Sequence, residues 1–131
     1  MTIKSLSSPQ IALIMKKGRA YSSGSFLLKT LPNTEIKETK GAVGAKLIFF
    51  CSFIASKKNF VKAVDRNRSK RRIKESFIEA VKEIGEDAFK NPLLQPIPQF
   101  VFLTKKDSMK NDFIDIVHDI KQILLKDYII R

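Results

Sequence analysis

The chain has 131 residues, 44% of them apolar and including ten Phe, which suits one domain with a real hydrophobic core and excludes a disordered segment. Lys and Arg number 25 against 13 Asp and Glu, a net charge of +12, so nucleic acid is the first expected partner and an anionic membrane surface the second. The single cysteine, Cys51, excludes an internal disulfide and a multi-cysteine metal site, and no apolar run approaches the ~18 residues a membrane span needs.

Met1 to Gln10 holds one Lys and no apolar stretch, so no signal peptide is expected and the chain reads as cytoplasmic. Ser8 suits a helix cap and Pro9 a first helical position, where no N–H is required. Ile11, Ile14 and Met15 follow at helical spacing and Gly18 is a stop signal, so a short helix is expected over about residues 9–17. Tyr21 to Leu31 carries Phe26-Leu27-Leu28 between Gly24 and Pro32 and reads as a strand, with room for a shorter strand before it. Pro32 to Ala45 reads as a loop.

Lys46 to Ser56 is the strongest strand signal. Leu47, Phe49, Cys51, Phe53 and Ala55 alternate with Ile48, Phe50 and Ile54, so both faces are apolar and the strand should be central and covered twice. Cys51 inside it is expected to be a buried, inert thiol. The period then changes: Ile73, Phe77, Ala80 and Ile84 form one stripe of a helix ending near Gly85. Asn91 to Pro98, with Pro at 92, 96 and 98, is neither helix nor central strand. Phe100 to Leu103 is a short strand. Asp107 or Ser108 is the expected cap of a last helix burying Met109, Phe113, Ile116, Val117, Ile120 and Leu124. The order is an α/β domain spanning the chain, with helices packed on one small sheet.

Charge is concentrated in one window. Between Lys57 and Lys74 stand Lys57, Lys58, Lys62, Arg66, Arg68, Lys70, Arg71, Arg72 and Lys74 against Asp65 alone, a net +8 of the chain's +12. Traced back from Ile73, the apolar stripe continues through Lys70, Arg66 and Lys62, while Arg68 and Arg71 point roughly the other way. Like charges four apart repel by ~0.2–0.5 kcal/mol each, and cations sit unfavourably at a helix N-terminus. Phosphates would remove both costs, and arginine's planar fork grips them through two bonds.

Rival chemistries find less support. His118 is the only histidine, on the last helix where a structural role is the plainer reading, and with Cys51 it makes no zinc set. Glu35-Ile36-Lys37 and Glu38-Thr39-Lys40 resemble a metal-nuclease triplet but lie in a Gly/Pro loop. Asp112, Asp115 and Asp119 read as a solvated helix face. Gly41-Ala42-Val43-Gly44 spells a GxxG loop, yet precedes a strand rather than joining helices. The basic half of the long helix lacks the continuous apolar face that membrane-surface binding requires. A ribosomal-type or other basic RNA-binding protein without enzymatic role is the alternative to the reading that follows.

Ala63-Val64-Asp65-Arg66-Asn67-Arg68-Ser69-Lys70-Arg71, followed by Lys74 and Phe77, resembles the arginine–asparagine–arginine motif of the bacterial ribonuclease P protein family. Ser56-Lys57-Lys58 stands where that family has a strand ending in Ser-Lys-Lys, Met15-Lys16-Lys17-Gly18-Arg19 resembles its first helix end, and Phe26-Leu27-Leu28 its first long strand. The likeness runs along about residues 8–125, within a single domain of 1–131 whose core is about 8–126. It implies an αβββαβα order, a four-stranded sheet and a left-handed crossover around the motif helix. It also implies a subunit that binds a catalytic RNA and the 5′ leader of precursor tRNA. On that resemblance the RNA performs the magnesium-assisted hydrolysis, so no protein catalytic residue and no dedicated protein magnesium site is expected, the positions of the metal ions stay open, and no protein partner is evident. Carried over residue by residue, RNA contact falls to Arg66, Asn67, Arg68, Lys70, Arg71 and Lys74, with Lys57 and Lys58 at the basic strand end and Lys62 between. The leader cleft falls to Ile11, Met15, Phe26 and Lys29. The family often has Phe at the first two of these and an aromatic where Lys29 stands. Losing those rings removes ~1–3 kcal/mol of stacking per base and leaves Lys29 to bind a leader phosphate. Asn59-Phe60-Val61 also lacks the Gly common after Ser-Lys-Lys.

Overall fold

The computed structural model describes residues 1–31, 42–43, 46–89 and 99–126. The chain runs β1 (Thr2–Lys4), α1 (Ser8–Lys17), β2 (Arg19–Ser22), β3 (Phe26–Leu31), β4 (Ala42–Val43), β5 (Lys46–Ile54), α2 (Ala63–Ile84), α3 (Glu86–Phe89), β6 (Gln99–Thr104), a 3-10 turn (Lys106–Met109) and α4 (Phe113–Leu124). The strands lie in the order β1-β5-β6-β3-β2, with β4 also pairing β5. β5 runs parallel to β1 and β6, and β3 runs antiparallel to β6 and β2. The mixed α/β sheet is therefore the one expected, wider than four strands by β1 and the two-residue β4. Most of the Pro32–Ala45 loop, with the Glu-x-Lys triplets and both glycines of the GxxG string, lies outside the described residues. So do Asn91–Pro98 and Tyr128–Arg131.

β5 is covered on both faces, as its alternation requires. Phe49 and Cys51 face a core built with Phe26, Leu28, Phe100 and Phe102 of the sheet, Ile73 and Phe77 of α2, and Ile116 and Ile120 of α4. Phe50 and Ile54 point the other way, against Leu6, Ile14, Leu31 and Val101 beneath α1. Aromatic edges lock the larger core: Phe77 meets Phe49 at 5.3 Å and 89°, and Phe26 meets Phe102 at 5.5 Å and 68°. Cys51 is buried, which pushes its thiol well above the ordinary range, against a smaller opposing pull from Lys74. An acid whose pKa is raised by folding leaves stability intact below the unfolded thiol value, and stability declines as pH climbs through the folded one. Native protein should therefore react with iodoacetamide about a hundredfold or more slowly than urea-unfolded protein, as read by mass spectrometry.

Helix ends follow local chemistry. Ser7 occupies the cap position of α1, one residue before the expected Ser8, and its N–H donates to Gln10 Oε1 at 3.0 Å. Gly18 follows the last turn in extended backbone, and only glycine fits there, since a Cβ would stand 2.4 Å from the Ile14 carbonyl oxygen and 3.0 Å from that of Thr30. Gly85 ends α2 with φ of 99°, which only glycine adopts without strain. The last helix starts later than Asp107 or Ser108. Ser108 is buried in the 3-10 turn, where its hydroxyl bonds Ser69 Oγ of α2 at 2.8 Å and is not free to cap. Asp112 takes the cap position instead, and Met109 is left half-buried on the turn, ahead of the helix.

Candidate nucleic-acid interface

α2 divides into two halves with different work. Its C-terminal half buries Ile73, Phe77, Ala80 and Val81 in the core. In the N-terminal half the inward position belongs to Ser69, fully buried against Ser108, so the packed side stays small there instead of becoming cationic. Outward, Asn67, Arg68, Arg71 and Lys74 are all exposed, and their spacing of three and four places them on one stripe. Lys57, Lys58 and Lys62 are exposed on the approach to the helix, and Lys70 is half-buried beside the stripe. Among the described residues, no carboxylate pairs with any cation between Lys57 and Lys74; the ion pairs are Met1 amine to Glu86 at 3.0 Å and Lys121 to Glu83 at 3.7 Å. Glu75, Glu79 and Glu83 stand four apart on the C-terminal half, so the helix changes sign along its length.

Two of the arginines hold structure. Arg66 Nη1 donates to the carbonyls of Phe60 and Val61 at 2.9 and 3.0 Å, clamping the loop that leads into α2. Arg72 Nη2 donates to the Asn111 carbonyl at 2.6 Å, and Asn111 Nδ2 reaches Ser25 Oγ at 2.7 Å, so the helix is tied to the β2–β3 turn. The loop between β5 and α2 is held from the other side by Phe60, buried, whose N–H donates to the Ser56 carbonyl at 3.0 Å. It leads into a groove of about 420 Å³ lined by Asn59, Phe60, Val61, Lys62, Asp65, Lys106 and Met109. Lys106 was absent from the sequence-derived set; its signal was the Lys105-Lys106 pair directly after the last strand.

The α1 side of the sheet brings together three of the four expected cleft residues. Ile11 and Met15 are half-buried on α1, and Lys29 Nζ donates to the Met15 carbonyl at 2.7 Å. Phe26 does not belong with them. Strand neighbours alternate faces, so Phe26 and Leu28 point away from Lys29, and Phe26 is 0% exposed in the core on the α2 side. Its pairing is with Phe102, across the sheet from the cleft.

Among the described residues no three His, Cys, Asp or Glu side chains are placed to hold a metal ion, and no helix is long and apolar enough to cross a membrane.

Comparison with known proteins gives a consistent result. The profile of the Ribonuclease P family matches residues 6–128. The fold is similar to that of the RNase P protein of Staphylococcus aureus, with 20% identity, a TM-score of 0.59, and 98% of this chain and 96% of that chain covered. It is also similar to that of the RNase P protein of Thermotoga maritima, with 18% identity, a TM-score of 0.59, and 94% of this chain and 96% of that chain covered. No curated protein matches the chain by sequence.

Proposed function

Since the chain belongs to the ribonuclease P family and is the protein subunit of that bacterial enzyme, we propose that its α2 stripe docks on the catalytic RNA subunit while its α1 cleft holds the 5′ leader of precursor tRNA. The observation that carries this is the row of exposed cations at Arg68, Arg71 and Lys74, unpaired by any described carboxylate on a helix already anchored in the core. Phosphates are the complement of such a row, and a helix ordered in advance loses little entropy on binding them. Lys57, Lys58, Lys62 and Lys70 extend the cationic field, and Asn67 offers donors and an acceptor within it. In the cleft, Ile11 and Met15 give apolar contact without aromatic stacking. Lys29, with one proton given to the Met15 carbonyl, keeps two for a leader phosphate.

In this reading bond cleavage belongs to the RNA, and magnesium bound there would supply Lewis-acid activation. The described residues of this chain offer no ligand cluster for such an ion, and none of its side chains is given a chemical step. The test is reconstitution with a bacterial ribonuclease P RNA and a precursor tRNA. Adding the protein at low magnesium should raise the rate of 5′ cleavage by about tenfold or more, because its cations replace part of the counterion requirement. Protein that leaves the low-magnesium rate unchanged would overturn the proposal.

A further inference from the structure

The groove ahead of α2 contains features that a phosphate clamp does not need. Val61, on its lining, is 86% exposed, the largest exposure among the described large apolar residues, and Val64 on the first turn of α2 is 65% exposed. Val61 is not on a slack loop: its own carbonyl and that of Phe60 are held by Arg66, and Phe60 is anchored in the interior. Asp65, the one acid among the nine cations of its window, lies in the same groove. Lys62 and Lys106 flank it from the loop and from the 3-10 turn, and Met109 adds a soft apolar wall. An apolar surface held toward solvent, a carboxylate beside it and lysines at the rim match the parts of a single nucleotide: base face, base edge and phosphate.

We infer that this groove receives one unpaired nucleobase of the RNA partner, lying against Val61 and Met109 with its exocyclic amino group donating to the Asp65 carboxylate. Lys62 and Lys106 take the flanking phosphates. A carboxylate accepts from the amino edges of adenine, cytosine or guanine and has no such donor to meet on uracil's exocyclic positions, so the site prefers an amino-bearing base. Asp65 stands on the same helix as the cationic stripe, three residues before the exposed Arg68, and lysines rim the groove, so the occupant is RNA, and the inference rests on the RNA-binding reading above.

Asp65 decides the matter by the sign of its effect. A carboxylate that merely caps the helix field repels RNA, so Asp65→Ala would then tighten binding to a bacterial ribonuclease P RNA. If it accepts from a base, Asp65→Ala weakens binding by about tenfold. Asp65→Asn, which keeps an acceptor oxygen, should recover part of that loss. Val61→Ser should weaken binding severalfold without changing the dependence on salt, since no charge is removed. Thermal unfolding of each variant separates a frayed helix from a lost contact. Tighter or unchanged binding by Asp65→Ala, or unchanged binding by Val61→Ser, overturns the groove assignment. An Arg68→Ala/Arg71→Ala control that keeps full affinity would instead overturn the docking of α2 on RNA.

Discussion

Replacing Arg68, Arg71 and Lys74 together by Ala is expected to lower affinity for ribonuclease P RNA by roughly two to three orders of magnitude at 0.1 M salt, taking each lost phosphate contact as a log–log salt slope of ~0.9. The slope itself should fall by about three, because each cation released one condensed counterion. Stability should not fall with it. All three side chains are exposed, no described carboxylate pairs with them, and Ala is the best helix former, so the melting temperature should hold or rise as like-charge repulsion is relieved. Filter binding across a salt series and a thermal melt measure both halves. A triple variant with wild-type slope would mean that these cations face solvent in the complex.

The second large effect lies in the core. Phe77 is fully buried and meets three rings, Phe49 at 5.3 Å, Phe102 at 5.6 Å and Phe100 at 5.7 Å, so it joins α2 to both central strands. Phe77→Ala removes those contacts and leaves a cavity, at a cost of about 3–5 kcal/mol. Domains of this size hold about 5–15 kcal/mol in total, so the melting temperature should drop by about 10–20 °C. Phe53→Ala is the comparison: Phe53 is half-buried and stacks on Phe102 alone, and it should cost less than half as much. Equal losses for the two would show that the rings at Phe77 are loosely packed.

Where local pattern determines structure, the sequence was a sufficient guide. The double alternation of Phe49/Cys51 against Phe50/Ile54 specified a strand buried on two faces, and the step of four, three and four from Ile73 specified the packed half of α2. β1 is silent in the sequence because three residues with one inward apolar side chain, Ile3, carry no periodicity; the strand exists through parallel pairing with residues 48–50, a non-local contact. The start of α4 is not legible locally: Ser108 has the chemistry of a cap, and nothing nearby says that its hydroxyl is engaged by Ser69, 39 residues away. Phe26 is a different kind of error. Lys29 and Phe26 are three apart, and positions three apart on one strand face opposite ways, so the two could not share a cleft; transfer from the family overrode a parity visible in the residues. Within the motif, the exposed stripe was legible, but the engagement of Arg66 by loop carbonyls was not, since hydrogen bonds to backbone leave no trace in composition.

The change of sign along α2 has a consequence before any contact forms. With cations gathered at its beginning and Glu75, Glu79 and Glu83 beyond them, the rod behaves as a permanent electric needle some thirty ångströms long, by the ~1.5 Å rise of each residue. A polyanion approaching through solution exerts a torque on such a needle, so the molecule is turned binding-end first while still diffusing. Orientation, usually the slow part of macromolecular encounter, is in this way completed at a distance.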